Sequence, residues 1–444
     1  MDAFVIDGGA RLAGTIRVGG SKNAALPLMA AALLTEAPIV LEDIPDLADI
    51  RNMRRLLSEL GVVGEFAESP AGLRQLTLQT VDEAASHARY DIVKTMRASV
   101  CALGPMLARR GAARISMPGG CAIGQRPIDL HLRGLEALGA EISLSQGDVV
   151  ARAPGGRLKG AKLFLGGAFG STVLGTANIM SAATLAEGTT VIESAACEPE
   201  VVDLATLLNA MGARITGAGT PRITVEGVDE LGPARHHIMA DRIEAGTFMC
   251  AAAITNGDLT LENCPLDALM AVTDRLSAVG VSVVEARDST NPLRATVRIT
   301  CGRRLMPVEM TTQPHPGFPT DVQAQLMALL TLAEGNSVIT EKIFPERFLH
   351  VAELQRMGAR VLRQGATVVI SGVKTLVGAP VMASDLRASA GLVLAGLAAE
   401  GRTTISRVYH LDRGYERLEE RLKTVGARIR RVDDQEAGLA IAAA

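Results

Sequence analysis

Two kinds of helix alternate along the chain. One is apolar nearly all round, as in "NAALPLMAAALL" and "QAQLMALLTLA", a pattern that predicts burial on most sides. The other is amphipathic, as in "GYERLEERLKTVG", with a glycine where the helix stops. Between them, after a glycine-containing turn, runs an alternating stretch such as "TTVIES" or "NSVIT", read as a strand. A last strand such as "ARIRRV" closes the unit. The unit recurs at a period of about 70 residues, longer than solenoid repeats. Its amphipathic helices end at Gly61, Gly139, Gly212, Gly280, Gly358 and Gly426. The pattern therefore predicts an α/β protein of two halves, each of three small α/β units. The stretch "VEGVDELGPARHH", residues 225–237, interrupts the repeat and is read as the boundary. The tail "QEAGLAIAAA" is expected to fray.

Composition narrows the picture. Of 444 residues, 48% are apolar but only 2% aromatic, so the core is built from Ala, Leu, Val, Ile and Met. A net charge of −3 argues against a nucleic-acid partner. Six cysteines, at 101, 121, 197, 250, 264 and 301, form neither a CxxC pair nor a spacing that suits a metal, so no metal is expected. The start "MDAFVIDGGA" lacks the basic and apolar regions of a secretory leader, and the run "SAGLVLAGLAA" is too short to span a bilayer. A cytoplasmic protein with free thiols and no membrane partner is the expectation. "GTIRVGGSKN" lacks the residue order of a phosphate-binding P-loop, and "GGCAIG" lacks a dinucleotide fingerprint. No cofactor is expected.

The starts of the apolar helices carry charge: Lys22 and Asn23, Lys94 and Arg97, Asp241 and Arg242, Thr320 and Asp321, and Ser384, Asp385 and Arg387. Ser21, Thr320 and Ser384 read as helix caps. A cation in the first turn opposes the helix dipole and needs a compensating negative group. For Lys22, Arg97 and Arg387 that group is either a bound anion or a neighbouring Asp. Arg126 precedes Pro127, and Arg413 lies just before a helix; each alone reads as a surface arginine. Cys121, in "SMPGGCAIGQRP", is placed unusually for a structural cysteine, among glycines and beside an arginine. His131 and His315 carry no distinguishing signal.

Eight ordered motifs give these residues a context: "GGSKNAALPLMAAALL", "YDIVKTMRAS", "PGGCAIGQRPIDLH", "LAEGTTVIESAACEPEVVD", "DRIEAGTF", "PHPGFPTDVQAQ", "SDLRASAGLVLAG" and "YHLDRGYERLEERL". Over nearly its whole length the chain resembles the UDP-N-acetylglucosamine branch of the enolpyruvyl transferase family. The resemblance implies two inside-out α/β domains with helices at their centres, one of residues 22–239 and one of 1–21 with 240–444. It implies transfer of the enolpyruvyl group of phosphoenolpyruvate to the 3′-hydroxyl of UDP-N-acetylglucosamine with release of phosphate, the first committed step of peptidoglycan synthesis. Both partners are small, anionic substrates.

The same resemblance assigns roles. Lys22, Arg126 and Arg413 match contacts to the phosphate of phosphoenolpyruvate, with Arg387 a further cation and Asn23 a neighbour. Arg97 and the run Arg126, Pro127, Ile128, Asp129 and Leu130 match contacts to the UDP-sugar, and Ile343 an apolar contact to the sugar. Asp321 matches the carboxylate at the 3′-hydroxyl, and Cys121 the loop cysteine that protonates the methylene. A fosfomycin-type epoxide is then expected to alkylate Cys121. The stretch 165–183 departs from the family pattern, with Gly166 and Gly167 where charge is usual, so no nucleotide contact is carried over to it. Two other readings stand beside this one: 3-phosphoshikimate 1-carboxyvinyltransferase, which lacks the PGGC loop, and a non-catalytic UDP-sugar-binding paralogue.

Overall fold

The computed structural model describes residues 2–117, 128–286, 291, 293–302, 304–433, 435, 436 and 438. Its strands form six four-stranded sheets of one topology. In each, an edge strand runs parallel to the strand that follows a buried helix; the third and fourth strands pair antiparallel. The sheet built on Ile39–Glu42 shows the plan. Ala234–His237 lies parallel on one side, Arg74–Thr80 antiparallel on the other, and Val62–Glu68 completes the sheet. Register brings Leu41 opposite Leu76 and Ile39 opposite Leu78, all four fully buried. Alternation puts these side chains on one face, which packs on the helices.

The chain divides into two compact units. One runs from Gly20 to Met239; the other joins the chain up to Gly19 with the chain from Ala240 onward. In the first unit the buried helices are Lys22–Ala30, Leu103–Arg110 and Val173–Ala183. In the second they are Arg242–Ile254, Gln323–Leu330 and Leu386–Ala398, which pack on one another. Each unit has its own large hydrophobic core. Close approach of these helices requires glycine at two matching places. A Cβ on Gly104 would lie 2.3 Å from the Asn178 carbonyl oxygen, and one on Gly391 2.7 Å from that of Ala324.

The six helix-ending glycines all have positive φ, between 80° and 106°, the left-handed conformation that closes a helix. One detail differs from expectation: each repeat has a hairpin and a short edge strand where the pattern showed one final strand. At the interrupted stretch, Arg222–Glu226 is a sheet strand and Ala234–His237 pairs parallel with Ile39–Glu42. Of the tail, Gln435, Glu436 and Gly438 are described, and the rest lies outside the described residues.

The opening strands belong to the second unit. Ala13–Arg17 is the edge strand beside Asp258–Cys264. Ala3–Asp7 lies between Arg402–Ser406 and Ile429–Val432, antiparallel to both.

Candidate active site

In the 20–239 unit, Lys22 opens the helix Lys22–Ala30, capped by Ser21, whose hydroxyl accepts from the Ala24 N–H at 3.3 Å. Its Nζ lies 3.6 Å from Oδ2 of Asp49, a side chain only 3% exposed. A neighbouring Asp is thus within ion-pair reach of this first-turn cation. Pro27 sits inside the helix. Because proline has no N–H, the usual helical bond to the carbonyl of Asn23, four residues earlier, is missing.

Arg97 begins the short helical turn Arg97–Ala102. Its charge adds to burial in pushing His131 down to about 3. His131 lies on the helix Asp129–Ala137, so Arg97 faces the element that carries Asp129 and Leu130. The neutral imidazole accepts at Nδ1 from Asn178 Nδ2 (3.0 Å), and the same amide nitrogen donates to the Val100 carbonyl at 2.9 Å. Asn178 Oδ1 takes the Gly104 N–H at 2.6 Å. Asn178 therefore ties the helix of His131 to Val100 and Gly104, and His131 reads as one of its structural partners. Ile128 is buried, Asp129 exposed and Leu130 half-buried.

The stretch left without a role, 165–183, reaches this helix. A Cβ on Gly167 would come within 3.0 Å of Leu130 Cδ1. Gly167 and Gly170 close a tight turn by two backbone hydrogen bonds, 2.8 and 3.1 Å, with Phe169 exposed at its tip. Cys121, Arg126 and Pro127 lie outside the described residues. Among the other thiols, burial pushes Cys101, Cys250 and Cys264 up to about 12, which makes them inert at neutral pH.

In the second unit, Asp321 sits in the turn Thr320–Val322 at the head of a buried helix. Two guanidiniums hold its carboxylate. Arg347 donates to Oδ1 at 2.7 Å and Arg387 to Oδ2 at 3.2 Å. Arg387 stands in the first turn of Leu386–Ala398 and is 1% exposed. Its Nε and Nη1 have no hydrogen-bond partner among the described residues. Its Cζ lies 5.3 Å from the centre of the Tyr415 ring, within cation–π range. Burial works to lower its pKa, but Tyr415, Asp321 and Asp241 outweigh burial and the net direction is up. The Tyr415 hydroxyl is itself held by Thr247 (2.8 Å) and Gln325 Nε2 (3.0 Å).

Ile343 joins this group through Glu341, a carboxylate with no exposed surface. Its Oε1 accepts from the Ile343 and Phe344 N–H groups, at 2.8 and 3.0 Å, and from the Thr312 hydroxyl at 2.7 Å. Arg413 ends the turn Val408–Arg413 and is half-buried. It acts electrostatically on His410, which burial, then Arg413, push down against the pull of Asp385. Arg413 thereby stands near the N-terminus of the helix that carries Arg387. Asp412, before it, is gripped by Arg431 at 2.6 and 3.0 Å.

Two capping expectations fail. Asp385, not Ser384, caps Leu386–Ala398, accepting from the Arg387 and Ala388 N–H groups at 3.0 and 3.1 Å. Asp, charged, is the stronger acceptor. Thr320 makes no cap; its hydroxyl is engaged by Glu341 and Arg347. Arg347, Glu341 and Tyr415 were not singled out from sequence. An isolated Arg in "FPERFLH" or Glu in "VITEKIF" gives no local signal, because the side chains that tie it to the site, Asp321 and Thr320, are distant in the chain.

Residues 6–422 match a family model described as EPSP synthase (3-phosphoshikimate 1-carboxyvinyltransferase). A UDP-N-acetylglucosamine 1-carboxyvinyltransferase from Anaeromyxobacter sp. (strain Fw109-5) is 53% identical over 431 residues, 97% of this chain and 99% of its own. The enzyme of that name from Methylacidiphilum infernorum (isolate V4) is 50% identical over 433 residues, again 97% and 99%. Among solved structures, the enolpyruvyl transferase NikO from Streptomyces tendae superposes with a TM-score of 0.84 at 26% identity, covering 97% of this chain and 99% of its own. EPSP synthase from Acinetobacter baumannii, at 19% identity and a TM-score of 0.74, covering 98% and 100%, shares the fold. With half its residues identical to relatives of nearly equal length, and with a family model matched over residues 6–422, the chain belongs to the enolpyruvyl transferase family.

Proposed function

We propose that the chain transfers the enolpyruvyl group of phosphoenolpyruvate to the 3′-hydroxyl of UDP-N-acetylglucosamine, releasing phosphate, as the first committed step of peptidoglycan synthesis in the cytoplasm. The observation that carries this reading is the Arg387–Asp321 pair: a buried guanidinium that leaves two nitrogens without a hydrogen bond among the described residues, beside a carboxylate. A cation so enclosed suits an anionic substrate, and a carboxylate next to it suits proton transfer.

The reaction is an addition followed by an elimination. The sugar oxygen bonds to carbon 2 of phosphoenolpyruvate while its proton passes to Asp321. The methylene carbon takes a proton from Cys121, giving a tetrahedral phospho-intermediate. Loss of phosphate and of one proton from the new methyl group restores the double bond. Lys22, Arg126 and Arg413 hold the phosphate, Arg387 and Asn23 flank it, and developing negative charge is met by fixed cations. Arg97, Ile128, Asp129 and Leu130, with Arg126 and Pro127, bind the UDP-sugar, and Ile343 packs on the sugar. The 20–239 unit is thus read as the UDP-sugar domain.

The competing acceptor is shikimate 3-phosphate, named in the family model's description. Identity of 53% to a UDP-sugar enzyme against 19% to an EPSP synthase favours the nucleotide sugar. Phosphate release from phosphoenolpyruvate is expected with UDP-N-acetylglucosamine and not with shikimate 3-phosphate. The reverse preference, or release with neither, would overturn the assignment.

A further inference from the structure

We infer that Glu341 and Thr320 form a hydroxyl relay that positions Asp321, and so are positioning residues for the transfer reaction; this rests on the role given to Asp321 above. Glu341 has no exposed surface. Burying a carboxylate costs several kcal/mol unless it is fully hydrogen-bonded. Here every partner is a donor: the Ile343 and Phe344 N–H groups and the Thr312 hydroxyl at Oε1, and the Thr320 hydroxyl at Oε2 (2.9 Å).

The direction of the Thr320 proton follows from its neighbours. Arg347 Nη1 lies 3.0 Å from Thr320 Oγ1, and an arginine can only donate. The hydroxyl therefore accepts from Arg347 and donates to Glu341. That same Arg347 nitrogen also donates to Asp321 Oδ1 at 2.7 Å. One buried carboxylate thus fixes the turn that carries Ile343 on one side and, through Thr320 and Arg347, the Asp321 carboxylate on the other. A stability role alone would not need the chain of contacts to end on the exposed edge of Asp321, which is 26% exposed while Arg347 is 8%.

The test separates the relay from mere packing. Thr320→Val keeps the shape and removes the hydroxyl; Thr320→Ser keeps the hydroxyl. Glu341→Gln, with its oxygen toward Ile343, preserves that turn and presents NH2 to Thr320, which then has no acceptor there. Thr320→Val and Glu341→Gln are each expected to lower kcat by about 10- to 100-fold, the scale of a misplaced catalytic group. The KM for UDP-N-acetylglucosamine should hold, and Thr320→Ser should keep the wild-type kcat. The double variant should be no slower than either single one. Rates are referred to the folded fraction, titrated by binding of the nucleotide sugar. Unchanged kcat in Thr320→Val, a loss in Thr320→Ser equal to that in Thr320→Val, or losses that multiply in the double variant would overturn the relay. Wild-type protein that releases no phosphate with this acceptor would instead overturn the reading on which the relay rests.

Discussion

A buried polar atom without a partner carries a desolvation penalty of about 1–3 kcal/mol. Among the described residues, Arg387 leaves two nitrogens without a hydrogen bond. His350, 1% exposed, leaves both ring nitrogens unpartnered among the described residues, and burial pushes it down to about 4. His131 lies lower still, at about 3. Both are neutral in the native protein. The unfolded chain binds these protons below its ordinary pKa of about 6.5, the native state only near 4 and 3. Stability supplied by either group is complete above that ordinary pKa and falls as the pH drops below it. The loss reaches about 1.4 kcal/mol per imidazole one pH unit below. In an NMR titration neither imidazole should change charge between about pH 5 and 8; an inflection near the ordinary value would contradict this. Sequence placed Asp321 and Arg387 among candidates because polar groups stand out at the head of an apolar helix. Arg347 and Glu341 were illegible, since the contacts that tie them to Asp321 and Thr320 span more than twenty residues, such as the 26 that separate Arg347 from Asp321.

Helix ends show what the backbone asks of side chains. Asp241 accepts from the Ile243 and Glu244 N–H groups at 2.9 and 3.0 Å, capping a helix buried along its whole length. Asp241→Ala should cost about 1–2 kcal/mol and Asp241→Asn much less, as read by denaturant unfolding. Equal losses would mean that charge, not capping, is the contribution. Both helix classes and the helix-ending glycines could be read from hydrophobic period alone. The edge strands could not. His87–Ala88 has two residues and Lys162–Phe164 three, too few for alternation to register.

The two units have cores that share no residue. Phe248 has no exposed surface in the second core, and Phe248→Ala should destabilise that unit by about 3–5 kcal/mol. Hydrogen exchange should then quicken in the second unit while amides of the 20–239 unit keep their protection; loosening of both together would mean that they unfold as one. The six-fold repeat and the two halves were legible because they recur. The strand Ala234–His237 was not legible, because Gly and Pro flank a short strand there as readily as they mark a boundary.

Ala3–Asp7 is an inner strand whose two neighbours, Arg402–Ser406 and Ile429–Val432, lie at the far end of the numbering. Synthesis makes it well before its companions, so it waits with both flanks bare while the residues between are added. The 20–239 unit can finish in the meantime. The other can gain its native cooperativity only once Ile429–Val432 has emerged, and a synthesis interrupted before then leaves a sticky, unpaired strand tethered to a domain that has already folded.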